Sequence, residues 1–453
     1  MIDTIKIFQN YIPESYHIKL NENEESKDLL VYNIYNEKKN YVGYLHLTSQ
    51  GEIKKYEDTD DILKTEKHLI NKSEIKEKAT RLVKELYKDK VLSLVSLIKK
   101  LDNFVVLYEI KEPKYDLTLP GTGIEFNYNL TGTLKKINQR IETYEIEYPE
   151  TILSPEEAKS KFMDNLNLDL KISKPKNHLH YHLFYRINKK LLYIPASGED
   201  GEYINNQRKL RSLEPFETSS KNLFRILGLN DDYKKVIKKS KRNYKIEIWS
   251  KYNKKELKKL NSGLHEFNKG IIKYKIDKHM HQIVEICDGE DLEEDFNEKI
   301  VEKHAYEKAL DFLFTIYPKA DELFDIIELV KDEGNIDKIN KEPNYTYYFN
   351  RVHDSIEIEN QIAYICVGQY TGMINKYCAP SVMEKELSHI NVFAKVSESE
   401  AKSIYKEELH MKLNFVKKEN EQIKYELVYV PTSPNKNGEI NLIDAHLGTL
   451  YND

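Results

Sequence analysis

The residues closest to chemistry in type and spacing are His178, His180 and His182, in the stretch "HLHYH". Alternate residues of a strand share a face, so three imidazoles would project together, as a catalytic zinc site requires. The spacing fixes no fourth ligand, and neighbours on one strand do not close a tetrahedron. A strand that matches it later in the chain carries Gln422, Lys424 and Glu426, which reads as a solvent-facing row. A polar row is therefore the expectation for the histidines too. The sequence names no catalytic residue and no cofactor.

Two charge runs come next. Residues 234–259 hold twelve Lys or Arg and two Glu, with Tyr244, Trp249 and Tyr252 interleaved. That composition resembles a nucleic-acid surface. Residues 288–298 answer it with seven acids and no base. Alternation in "YKIEIW" marks part of the basic run as an ordinary strand. The acidic run lacks the Asp-x-Asp-x-Asp-Gly order of a calcium loop and reads as a solvated lead into a helix from about Lys299. "PGTGIEF", Pro120 to Phe126, has no following Lys-Ser/Thr and reads as a turn leading into a strand.

Bulk composition narrows the classes further. The 453 residues are 40% hydrophobic and 32% charged, with a net charge of −5. That length predicts at least two cores, and the charge balance argues against nucleic acid or an anionic membrane as partner. Three cysteines, Cys287, Cys366 and Cys378, predict no disulfide framework. No apolar run is long enough to span a membrane and no export signal opens the chain. A cytoplasmic protein is the expectation as written, or an exported or envelope-associated one if a signal has been removed.

The elements that would position any site occur twice. "NLTGTLKKIN" from Asn129 and "QYTGMINKYC" from Gln369 share Thr-Gly-x-[Leu/Ile]-x-Lys. Before each lies a hairpin-like pair, Tyr44 to Ile53 and Tyr274 to Ile283, then an amphipathic helix. Ile75, Ala79, Leu82, Val83 and Leu86 stripe the first helix. Val301, Ala305, Ala309, Phe312, Leu313 and Ile316 stripe the second. Strands follow from Phe104 and Tyr345, leading into the Thr-Gly turns, where Gly132 and Gly372 predict positive φ. Capping boxes at Ser154/Glu157 and Ser397/Glu400 then start helices that bury Ala158 with Phe162 and Ala401 with Tyr405. Strands "LHYHLFYRI" and "IKYELVYVP" and a last glycine turn, at Gly201 or Gly448, close each half. The order predicts a tandem duplication with halves 1–215 and 216–453.

The stretches "YYFNRVHDSIEIENQIAYICVGQYTGMINKY", "VSESEAKSIY" and "LIDAHLGTLY" resemble the YcdB/YcdC repeat proteins of Gram-positive bacteria. The resemblance implies an α+β fold of PepSY-like modules, two per half, with helices packed on small antiparallel sheets. "YIPASGEDGEY" departs from the family's pattern, since no Asp-Ala pair precedes Gly201. By analogy with PepSY modules elsewhere, it also implies a non-catalytic binding or regulatory protein whose partner is a protein or peptide, such as a peptidase or an envelope component. The alternative reading is a metal-binding protein or enzyme with a site assembled between the two halves.

Overall fold

The structure is a computed structural model describing all residues except 1, 22–28, 61–68, 141–142, 177, 202–208, 220–222, 228–230, 232, 253–270, 280, 289–297, 329–342, 420–422, 435–438 and 453. The acidic run, residues 253–259 of the basic run, and Gln422 thus lie largely or wholly outside the described residues. The fold is mixed α and β, with helices and mainly antiparallel sheets. The chain forms two compact units. One holds Met1–Asp164, Leu191–Glu202 and His410–Thr432; the other holds Asn165–Lys190, Tyr203–Leu409 and Ser433–Asp453. Segments from both sides of residue 215 enter each unit.

In the first unit, nine strands form one sheet: β1 (His17–Leu20), β2 (Leu29–Tyr35), β3 (Tyr41–Thr48), β4 (Ile53–Asp58), β5 (Leu92–Lys99), β6 (Asn103–Glu112), β7 (Leu117–Thr118), β8 (Ile124–Asn129) and β9 (Leu134–Gln139). Their order is β1-β2-β3-β4-β9-β8-β6-β5, with β7 beside β6. Helices α1 (Ile2–Gln9) and α2 (Lys72–Leu86) contribute Phe8, Ile75, Ala79 and Leu82 to the core, all fully buried. Asn71 caps α2: its side chain accepts from the Ser73 and Glu74 amides while Glu74 reaches back to the Asn71 amide.

The second unit repeats the pattern with β15 (Lys234–Ser240), β16 (Tyr244–Ser250), β17 (Ile271–Asp277), β18 (Ile283–Asp288), β19 (Phe324–Glu328), β20 (Asn344–His353), β21 (Ile356–Gly368) and β22 (Ile374–Cys378). Long helices are numbered onward as α3 (Pro155–Asp164), α4 (Glu302–Ile316) and α5 (Glu398–Glu408). Helix α4 buries Ala305, Ala309, Phe312 and Leu313 as expected, but Val301 is the exposed N-cap and makes no side-chain cap bond. Registers recur as well. Tyr56 lies opposite Ile137 where β4 meets β9, and Ile286 lies opposite Tyr377 where β18 meets β22. Both Thr-Gly turns have positive φ, at Gly132 (82°) and Gly372 (63°). A helix lysine closes on each, Lys78 Nζ to the Gly132 carbonyl at 3.1 Å and Lys308 Nζ to the Gly372 carbonyl at 2.8 Å.

A four-stranded sheet completes the first unit and an extension of the large sheet beyond β21 completes the second, and each borrows its hairpin. In the first unit, α3 packs on β23 (His410–Glu419) and β24 (Ile423–Thr432), which pair with β10 (Glu145–Glu147) and β13 (Ile194–Pro195). In the second, β11 (Leu166–Ser173) and β12 (His182–Lys189) pair with β25 (Ile440–Asp444) and β26 (Leu450–Asn452). The hairpin after α3 thus serves the second unit, and the hairpin after α5 serves the first. Matching bonds hold both in place. The Ala196 amide donates to the Leu427 carbonyl (2.9 Å) and the Ala445 amide to the Leu183 carbonyl (3.0 Å). The Tyr429 hydroxyl donates to the Leu153 carbonyl (2.6 Å), and that of Tyr185 to the Val396 carbonyl (2.8 Å).

These bonds correct one expectation. Ala196 stands where Ala445 stands, so the turn glycine matching Gly448 (φ 70°) is Gly198 (φ 86°), whereas Gly201 is not among the positive-φ glycines. Pro195-Ala196 takes the place of Asp444-Ala445.

Candidate functional site

The histidine row is not a strand face. Strand β12 begins only at His182, so His178 and His180 lie in the turn before it. The preceding Lys174-Pro175 and the His178 amide, bonded to the Pro175 carbonyl at 2.9 Å, hold that segment in a turn. The rings of His178 and His182 meet edge-on at 5.9 Å, and His178 also meets Tyr451 at 5.0 Å. Burial pulls His182 below its ordinary range, with the Asp444 carboxylate opposing and the neighbouring histidines adding to the fall. Among the described residues, no three His, Cys, Asp or Glu side chains are placed to hold a metal ion.

The described part of the basic run forms β15 and β16, in agreement with the alternation in "YKIEIW". Its charge is partly answered from within. Glu247, with a side chain only 5% exposed, pairs with Lys245 and with Lys235 (3.0 Å), whose ammonium also lies over the Trp249 ring. "PGTGIEF" is a turn with Gly121 and Gly123 at positive φ, and β8 follows it.

One buried ionic group of the first unit, Asp58, belongs to a staple, while the buried Glu109 accepts from the Gly121 amide and the buried Glu112 from the Lys114 and Tyr115 amides. Asp58, the last residue of β4, is buried and accepts from Lys135 Nζ (3.0 Å) and the Asp60 amide (2.8 Å). Burial pushes its carboxyl up, and the two donors partly offset that. Tyr16 closes the group at 3.3–3.4 Å from Asp58 and Asp60. This arrangement pins the chain as it leaves β4 and exposes no reactive atom in a cleft.

A polar cleft of about 420 Å³ lies in the second unit. Strand β11 alternates: Leu166, Leu168 and Ile172 are buried on one face, and Asn167, Asp169 and Lys171 line the cleft on the other. Asn188 of β12 and Asn350, Glu357, Glu359 and Asn360 of β20 and β21 complete its floor, and Lys209, Leu210 and Ile327 form a wall. Asn350 is 1% exposed, and Asn360 sits at φ 59°, beside a register shift between β20 and β21.

Charges in the cleft are paired across strands. Lys171 Nζ meets Glu357 at 2.9 Å, and Arg186 Nε meets Glu359 at 3.1 Å. Ser173 Oγ donates to Glu359 at 2.7 Å, and Asn188 Nδ2 to Asp169 at 3.2 Å. Glu357 and Glu359 are acceptors already held by cations, and Asp169 by an amide, which suits recognition better than nucleophilic attack. Amides supply both donors and acceptors, the chemistry that meets a peptide main chain.

The backbone beside the cleft is also open. Strand β11 pairs with β12 along all eight residues but meets β21 only where Ile172 faces Ile358. Among the described residues, its edge from Leu166 to Lys171 has no strand partner on that side. Sequence reasoning passed over this site. Its one local signal is the alternation in "LNLDLKIS" and "IEIEN", and the pairing of Ser173 with Glu359 spans 186 positions.

Residues 217–381 match the family described as the YcdB, YcdC repeated domain. The "Uncharacterized protein YcdC" of Bacillus subtilis (strain 168) is 24% identical over 346 residues, covering 73% of this chain and 72% of that protein. The "Uncharacterized protein YcdB" of the same organism is 31% identical over 142 residues, covering 31% and 28%. Among solved structures, the Bacillus megaterium YpeB C-terminal domain aligns over 41% of this chain and 84% of its own, at 15% identity and a TM-score of 0.28.

Proposed function

This chain carries a YcdB/YcdC repeated domain, and from that premise we propose a non-catalytic binding protein that regulates a protein partner by receiving an extended, polar segment of it. A peptidase or an envelope protein is the class of partner proposed. The observation that carries the reading is the open edge of β11 above the polar cleft. An unpaired strand edge offers a row of main-chain donors and acceptors, and an incoming extended chain completes the ladder. The flanking amides and paired charges then select polar side chains by hydrogen bonding.

The same proposal takes the chain as a tandem duplication of PepSY-like modules. The recurring registers, the two lysine-closed Thr-Gly turns and the matched Ala196 and Ala445 bonds support it.

Selection of random decapeptides on the full-length protein tests the function. Peptides that emerge should protect the Leu166–Lys171 amides from hydrogen exchange and should bind about tenfold more weakly to Asp169→Lys or Asn188→Leu. Peptides indifferent to both substitutions, or a selection that enriches nothing, would sink the reading.

A further inference from the structure

The two units treat one corresponding strand edge differently. Strand β5 follows α2 and its terminal Tyr87; β19 follows α4 and its terminal Tyr317. Each pairs antiparallel with a long strand, Leu94 opposite Tyr108 and Ile326 opposite Phe349. The outer edge of β19 is covered by β14 (Lys209–Ser212), which adds four residues antiparallel, Ser212 opposite Asp325 through Lys209 opposite Glu328. The occupant is basic and the edge acidic, with Arg211 Nε 3.6 Å from Glu328. Among the described residues, β5 has β6 as its only strand neighbour.

That edge is apolar on its outward side. Val95 is 46% and Ile98 52% exposed, and the flanking Val91 and Leu101 are 63% and 99% exposed. A register shift between Leu94 and Ser96 turns Val95 outward. Lys99 and Lys100 close the far end, whereas Lys90 at the near end is tied to Glu52 at 3.0 Å. The edge is thus apolar with a positive end, opposite in sign to β19.

We propose that β5 is a docking edge for an extended, apolar segment of a partner protein that carries acidic residues at the end facing Lys99 and Lys100, added antiparallel as β14 is added to β19. A second copy of this chain fits poorly. Its own residues 91–101 carry no acidic side chain to meet Lys99 and Lys100. The edge lies in the first unit and is separate from the polar cleft, so this inference stands or falls apart from the function proposed above.

The test uses the full-length protein and a panel of synthetic peptides that begin with Glu-Glu and continue in alternating Val and Thr, which sets the acids against Lys99 and Lys100 in an antiparallel pairing, followed by fluorescence anisotropy and amide hydrogen exchange. Binding should protect Leu92–Lys99 and weaken at least tenfold in Ile98→Asp and in Val95→Asp. Both positions are exposed, and their thermal melts should match the parent. Binding should also weaken with Lys-Lys in place of Glu-Glu, or with N-methylation of alternate peptide amides. Asp169→Lys should leave it unchanged. No binding by any panel member at millimolar concentration would overturn the proposal. So would protection at Leu166–Lys171 in place of β5, binding indifferent to Ile98→Asp, or β5 protection that rises with protein concentration alone.

Discussion

The two units fill the same place in their cores from opposite sides. In the first, the large ring is Tyr56 on β4, with Ile137 opposite on β9, and Phe8 of α1 meets Tyr56 edge-on at 4.9 Å and 74°. In the second, isoleucine and tyrosine have changed strands. Ile286 is on β18, Tyr377 on β22, and Phe312 of α4 itself meets Tyr377 at 4.9 Å and 76°. Where α4 has Phe312, α2 has Leu82. Volume and edge-on geometry are kept while the strand and helix that supply them change. Packing density fixes what must fill the space and leaves open which element fills it.

The largest test of this comparison is truncation of the two phenylalanines. Phe312→Ala and Phe8→Ala should each cost ~3–5 kcal/mol in denaturant unfolding, with Phe8→Ala at the lower end because α1 is a helix of only 8 residues. Equal losses at the low end would show that the longer helix adds no rigidity. Exchanging Tyr56→Ile together with Ile137→Tyr should cost less than the two single changes summed, since neighbours couple by roughly 0.5–3 kcal/mol.

Next come the turns. Gly132→Ala and Gly372→Ala each force a left-handed alanine, about 1–2 kcal/mol. Gly132→Ala should cost more, since its Cβ would press on the Ile70 side chain, whereas at Gly372 it meets the movable end of Lys308. Helix caps set a smaller contrast. Asn71→Ala should lose ~0.5–2 kcal/mol, and Val301→Asn should gain up to about 1 kcal/mol by supplying the cap that α4 lacks. Thermal melts of the pair measure both.

The smallest effect concerns pH. The imidazole of His182 titrates below its ordinary value in the folded chain, so the unfolded state takes up its proton first. The stabilisation is present above the ordinary histidine value and is lost as pH falls through the lowered one. Stability should therefore decline on acidification below about pH 6.5, less steeply in His182→Gln. An unchanged slope in that variant would assign the decline to other groups.

Local physics was legible in the sequence. Capping boxes at Ser154 and Ser397, the stripes on α2 and, from Ala305 onward, on α4, and the positive φ at Gly132 and Gly372 all follow from residue type at fixed spacing. Legibility failed where a neighbour far along the chain decides. The histidines alternate as a strand face does, but the turn after Lys174-Pro175 keeps His178 and His180 out of β12. That Gly198 and not Gly201 closes the first turn depends on the Ala196 bond to Leu427, which joins residues 231 apart. For the same reason the cleft was invisible, since it needs β11 beside β21. Nor does any residue announce the exchange of hairpins. A helix, a one-residue link and two strands read alike whether the strands fold back or cross over.

That exchange bears on how the chain is made. Helix α3 is synthesised with β11 and β12 immediately behind it, yet the strands it packs against, β23 and β24, emerge about 250 residues later. At ~5–20 residues per second, the apolar face of Ala158 and Phe162 waits roughly 12–50 s for its partner. During that interval the nearest hairpin of the right shape is the one the finished molecule places elsewhere. Nascent chains held on the ribosome should therefore pass through a folded form with α3 on its own hairpin, which must open before the finished arrangement closes.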